Sequence, residues 1–186
     1  KPADRETKCE EVRNETGAAF IHPSNDLNVI KGHSSCAIEL FRDTETLDAV
    51  FTPVGGGGLI SGIAMGFKNF SPETKIYGGE PLNADDAYQS MKAGKIIPVS
   101  NPDTIADGLR TSLGDVTFPI IREYVLEIFT VTEDEIIYAM RQVWERMKIV
   151  IEPSSAVAFA AMLKNIEKFK NKKIGIIVSG GNVDLN

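Results

Sequence analysis

Four consecutive glycines, Gly55, Gly56, Gly57 and Gly58, follow the apolar run "LDAVFTPV" and open the helix-forming run "LISGIAMGFKNF". A glycine turn between a parallel strand and a helix presents bare N–H groups at the positive end of the helix. That is an anion site, and the usual anion is a phosphate. The competing account is a tight turn without a ligand, but a run of glycines carries an entropy cost that a tight turn does not require. Gly58 is followed by Leu59 rather than by Lys and Ser or Thr, so the P-loop pattern fails. Gly56, Gly58 and Ser61 approximate the dinucleotide pattern G-x-G-x-x-small, and Glu80 stands where a ribose-binding acid would end the next strand. A nicotinamide-dependent oxidoreductase therefore stays open as a reading of this loop.

Further polar groups follow. In "EPLNADD", residues 80–86, Glu80 and Asp86 with an intervening backbone carbonyl offer oxygen ligands of the kind that Mg²⁺ or Ca²⁺ takes. On spacing alone an acidic helix N-terminus, where Asp85 and Asp86 favour the dipole, is the better account. "TIADGL", residues 104–109, places an Asp-Gly pair in a loop, commonly a plain turn. "VSGGN", residues 178–182, is a second small-residue turn after a strand-like run. Ligands in open α/β sheets gather at the carboxyl ends of strands. Two glycine turns at two such ends suit a ligand with a phosphate at one end and a polar ring at the other.

The elements that must position these groups alternate. Residues 3–17 read as a polar helix stopped by Gly17, residues 18–23 as a short strand and "SNDLN" as a turn. Helices are expected over 33–43, 59–70, 84–94, 135–150 and 154–169, with a capping box from Thr132 to Glu135 and Pro153 in a first turn. Strands are expected over 47–54, 75–80 and 172–181, and 95–118 is loop-rich. Strand–helix alternation predicts an α/β fold, an open, mostly parallel twisted sheet with helices on both faces.

The chain has 186 residues, 42% hydrophobic and 25% charged, enough for one domain core. A net charge of −6 argues against a nucleic-acid footprint. No apolar run has membrane-spanning length, and no signal-peptide pattern is present, so no membrane partner is expected. Cys9 and Cys36 have neither zinc spacing nor disulfide density and read as free thiols in a reducing compartment, with a cytoplasmic location expected. The start at "KPADRETKCEE" and the stop at "SGGNVDLN" read as cut ends.

Taken together, "PVGGGGLISG", "GEPLNADDAYQS", "TIADGL", "WERMKIVIEPSSAV" and "GIIVSGGNVDL" resemble the fold-type II pyridoxal-phosphate enzymes, and within them the branch of eukaryotic serine racemases and serine/threonine dehydratases. The resemblance spans the chain, with the motifs in the family's order. It implies that Gly55, Gly56, Gly57, Gly58 and Leu59 cradle the cofactor phosphate, that Ser179 faces the pyridine nitrogen, and that Gly108 and Glu152 border the cofactor pocket. A hydroxyl at the pyridine nitrogen leaves the ring largely unprotonated and weakens the electron sink. The resemblance also implies a Mg²⁺ or Ca²⁺ site from Glu80, Asp86 and the carbonyl of Ala84, and a nucleotide effector site, for ATP, at Lys148 and Asn182 on a homodimer interface.

The family's Ser-x-Lys-x-Arg-Gly-type motif, which carries the lysine that joins the cofactor, does not occur in these residues, nor does the "Ser-Ser-Gly-Asn-His" substrate loop. The expectation is therefore the later half of an enzyme: a single incomplete α/β domain over 1–186, with 1–20 returning from an absent small domain. No catalytic residue is expected in this chain alone. The implied activity of the whole enzyme is serine racemisation with serine/threonine β-elimination. The alternatives are a dehydratase without a racemase role and a catalytically dead paralogue. Where relatives have Gly-Gln-Gly-Thr, this chain has "GHSS", residues 32–35. Ser34 or Ser35 is expected to cap the following helix with His33 facing solvent, and His22 to end a strand.

Overall fold

Strand β1 (Ala49–Pro53) is buried along its whole length, as a central strand covered on both faces must be. Ala49 and Phe51 enter one core, and Val50 with Val54 the other. In the computed structural model, which describes residues 5–184 apart from residue 45, β1 pairs in parallel with β2 (Lys75–Pro81) on one side and β4 (Ile174–Ile176) on the other. β3 (Val125–Val131) pairs in parallel with β2, giving the sheet order β3-β2-β1-β4. The chain steps outward from β1 to β2 to β3 and then crosses back to the far side of β1. This reversal opens a crevice at the carboxyl ends of β1 and β4.

One face carries α2 (Leu27–Asp43), α3 (Gly58–Phe70), α4 (Asp86–Ala93) and α5 (Thr117–Tyr124) around Val50, Ile60, Ile63, Phe67 and Ile121. The other carries α6 (Glu133–Met147) and α7 (Pro153–Lys164) around Phe51, Ile136, Ala156 and Val157. Phe51 stacks on Tyr77 at 5.1 Å and meets Phe169 edge-on at 4.9 Å, the offset arrangements that aromatic rings prefer. The capping box forms: the Glu135 amide donates to Thr132 Oγ1, and the Thr132 amide to Glu135 Oε2. Pro153 occupies the first turn of α7. Cys9 and Cys36 are both free. Among the described residues no helix is long and apolar enough to cross a membrane.

α1 (Arg5–Thr16) ends as expected at Gly17, in the left-handed region at φ +69°. The expected start of this helix at residue 3 lies outside the described residues. Residues 18–23 form no strand. No neighbouring strand pairs with them, and together with Ser24 and Asn25 they run as a strap with Phe20 and Ile21 exposed. α2 starts earlier than expected. Asp26, inside the expected turn, is its N-cap and accepts from the amides of Asn28 and Val29. Ser34 and Ser35 therefore lie inside the helix rather than capping it, and Ser34 Oγ donates to the Lys31 carbonyl at 2.6 Å. α5 and β3 were not expected. α6 stops at Met147, before residue 150, with Lys148 left-handed at φ +59°. α7 stops at Lys164 and gives way to a 3-10 turn over Ile166–Phe169. β4 is shorter than the expected 172–181.

Candidate functional site

A cleft of about 730 Å³ opens at the carboxyl ends of β1 and β4. It brings together Gly55, Gly56, Gly57, Gly58, Leu59, Gly108, Glu152 and Ser179, so every residue expected around a cofactor lines one cavity. His22 and His33 line it too. His33, expected to face solvent, is half-buried at the edge of this open cleft.

The glycine run has structural causes that are local and specific. Gly57 sits at φ +82°, and a Cβ there would stand 2.7 Å from Leu113 Cδ2 and 2.8 Å from Ile121 Cδ1. Gly56 and Gly58 lie under Ser24 of the strap, where a Cβ would collide with the Ser24 hydroxyl and backbone respectively. α3 thus begins at the cleft, and its first N–H groups have no acceptor within the helix.

The opposite wall is organised by the first turn of α7. Ser155, which is buried, accepts from the Gly180 amide at 2.7 Å, and its hydroxyl stands 2.7 Å from the Gly180 carbonyl and 3.0 Å from Ser179 Oγ. The Glu152 amide donates to the Gly180 carbonyl at 3.2 Å, and its carboxylate accepts from the Asn182 amide at 3.0 Å. The Gly108 amide donates to Ser154 Oγ at 3.1 Å. One helix terminus therefore fixes both the Ser179 turn and the Gly108 turn. Sequence reasoning singled out neither Ser154 nor Ser155. Two hydroxyls directly after a first-turn proline were the available signal.

Glu80 and Asp86 lie behind the cleft wall. Glu80 is fully buried, and its carboxylate accepts from the amides of Ala87 at 3.0 Å and Tyr88 at 2.7 Å. This sealed position leaves it no access to a ribose, which removes the main support for the dinucleotide reading. Asp86 Oδ2 accepts from the Leu113 amide at 2.8 Å, while buried Oδ1 has no partner. Burial first, and then the charge of Asp86, pushes the Glu80 carboxyl well above the usual range. Burial raises Asp86 to about 7 against the opposing Leu113 hydrogen bond. Ala84 is fully buried in the short 3-10 turn before α4. Among the described residues no cluster of three or more His, Cys, Asp or Glu side chains is arranged to hold a metal. What is present is the carboxylate pair, with one unused oxygen, and it reaches the cleft through Leu113.

Lys148 and Asn182 do not join the cleft. Both are exposed, Lys148 at the end of α6 and Asn182 after the Ser179 turn. Their segments adjoin, since a Cβ on Gly181 would lie 2.6 Å from the Val150 carbonyl.

Comparison with known proteins agrees with this geometry. The family model of pyridoxal-phosphate dependent enzymes matches residues 1–180. The chain is 50% identical over 186 residues to serine racemase of Dictyostelium discoideum, covering 98% of this chain and 57% of that protein. It is 48% identical over 184 residues to β-hydroxyaspartate dehydratase of Paracoccus denitrificans, covering 99% of this chain and 58% of that protein. The fold matches the T.th. threonine deaminase with a TM-score of 0.94 at 41% identity, covering 100% of this chain and 62% of that one. The chain thus spans less than two thirds of the length of these relatives. It belongs to the family of pyridoxal-phosphate dependent enzymes.

Proposed function

We propose that the complete protein is a pyridoxal-phosphate enzyme that racemises serine and eliminates the β-hydroxyl of serine or threonine. The observation that carries this reading is the single cleft joining the glycine loop at α3 to the Ser179 turn. The residues fit the cofactor at both ends. Gly55 to Gly58 supply side-chain-free backbone, and the first turn of α3, from Gly58 and Leu59, supplies helix N–H groups without an acceptor in the helix for a phosphate. The Ser179 hydroxyl, steadied at 3.0 Å by Ser155, suits a ring nitrogen. Gly108 and Glu152 border the space between. When bound, pyridoxal phosphate draws electrons from the substrate's α-carbon, so that the α-proton becomes removable. Reprotonation on the other face inverts the amino acid, whereas loss of the β-hydroxyl gives a 2-oxo acid and ammonia. The chain's own residues bind and orient. No base for the α-proton is assigned among them.

The buried Glu80–Asp86 pair favours Mg²⁺ or Ca²⁺. Two carboxylates that resist ionisation and one unpartnered oxygen are what a cation with the Ala84 carbonyl would relieve. Through Leu113 such a cation would stiffen the cleft wall. Lys148 and Asn182 are proposed to contact a nucleotide effector, ATP, at a homodimer interface of a cytoplasmic enzyme. Residues 1–20 are proposed to lead from a small domain, because α1 buries none of its described side chains. The similarity to threonine deaminase supports a dehydratase without racemase role as the second reading. Incubating the full-length protein with L-serine and measuring both products decides between them. D-serine with pyruvate supports the racemase reading, pyruvate alone the second, and neither product refutes both.

A further inference from the structure

The strap over the cleft is held by one imidazole. His22 Nδ1 accepts from the backbone amide of Asn25 at 2.8 Å and from that of Ser24 at 3.2 Å. A ring nitrogen that receives two N–H groups carries no proton of its own, so in this arrangement the imidazole is neutral with its proton on Nε2. Phe20 meets the ring edge-on at 5.9 Å. The turn formed in this way plants two side chains. Ser24 covers Gly56 and Gly58 so closely that neither has room for a Cβ. Asn25 reaches the facing wall, where its Nδ2 donates to Asp115 Oδ1 at 2.7 Å and its Oδ1 accepts from the Val116 amide at 2.9 Å. The strap therefore clips the glycine loop to the segment ahead of α5, and the clip depends on an acceptor at residue 22.

We propose that His22 is a positioning residue of the cofactor site. Its neutral imidazole sets the strap, and the strap sets the form of the phosphate-binding end. This rests on the cofactor reading given above. The role requires an acceptor, not an aromatic ring, and that distinction can be tested in the full-length enzyme. His22→Asn keeps an oxygen that accepts from the amide two residues on, as in an Asx-turn. His22→Phe keeps the ring and its contact with Phe20 but accepts nothing. His22→Ala lacks both and guards against misfolding of the phenylalanine variant.

Two readouts separate the strap from the cofactor. Amide exchange at Ser24 and Asn25 in the cofactor-free enzyme is expected to stay slow in His22→Asn. In His22→Phe and His22→Ala it is expected to quicken by about tenfold or more, the scale set by losing two modest hydrogen bonds. Pyridoxal phosphate affinity, measured by titrating the cofactor-free enzyme, should stay within about threefold of wild type for asparagine and fall about tenfold or more for the other two. Unchanged exchange in His22→Phe overturns the proposal, as does an asparagine variant as weak as phenylalanine. Exchange as expected in a wild-type protein that binds no pyridoxal phosphate overturns the cofactor reading and reduces His22 to a structural clip.

Discussion

Replacing Gly57 by alanine separates two costs that the glycine loop combines. At φ +82° an L-residue is strained by about 1–2 kcal/mol. The new methyl would also stand 2.7 Å from Leu113 Cδ2, 2.8 Å from Ile121 Cδ1 and 3.0 Å from Thr117 Cβ, and overpacking of this kind costs about 1–3 kcal/mol. The sum is about 2–5 kcal/mol, a large part of the about 5–15 kcal/mol that holds a domain together. Two controls isolate the parts. Gly94, at φ +68° with nothing within 4 Å of a Cβ, carries the backbone strain alone, so Gly94→Ala should cost about 1–2 kcal/mol. Gly32 lies inside α2, also with nothing within 4 Å, so Gly32→Ala should stabilise by about 0.5–1 kcal/mol. Denaturant unfolding of the three cofactor-free variants should rank Gly32→Ala above wild type, then Gly94→Ala, then Gly57→Ala. A Gly57→Ala protein no less stable than Gly94→Ala would refute the packing argument. A Gly32→Ala protein less stable than wild type would refute the placement of residue 32 within a helix.

Further outcomes follow from the buried polar groups. A carboxyl whose folded pKa is raised costs stability once ionised. In chelator, ionisation of Asp86 should therefore weaken wild type as pH climbs from about 4 to about 7, and Glu80, raised well above its usual range, adds to the loss as it ionises. Asp86→Asn keeps an acceptor for the Leu113 amide without the charge. It should exceed wild type by about 1–4 kcal/mol at pH 8 in chelator and gain nothing from added Mg²⁺ or Ca²⁺, whereas wild type gains. Parallel melting curves with and without the cation check this. Ser155→Ala leaves the Gly180 amide unpartnered and should cost about 1–3 kcal/mol while weakening pyridoxal phosphate binding. Titration of the cofactor-free variant measures the loss in affinity.

The strand–glycine–helix unit was legible because an apolar run, a glycine run and a helical period stand in sequence without interruption. The capping box at Thr132 and the stop at Gly17 were legible for the same reason, since each is a signal confined to a few neighbours. α5 and β3 were missed because Tyr124 runs directly into Val125 with no glycine, proline or asparagine between them. The expected strand at 18–23 failed because apolar content cannot supply a pairing partner. What made the site was also long-range. Ser24 over Gly56, Asn25 against Asp115 and Asp86 under Leu113 join residues far apart in the chain. Those contacts give the glycine run a packing cause beside the anion-binding one, and no local pattern announces them.

The most direct test of the account is an absorbance spectrum of the full-length protein purified with pyridoxal phosphate, recorded before and after borohydride. The account predicts a visible band that borohydride removes, leaving the cofactor fixed to a lysine. Absence of the band, with all cofactor lost on dialysis, would contradict it.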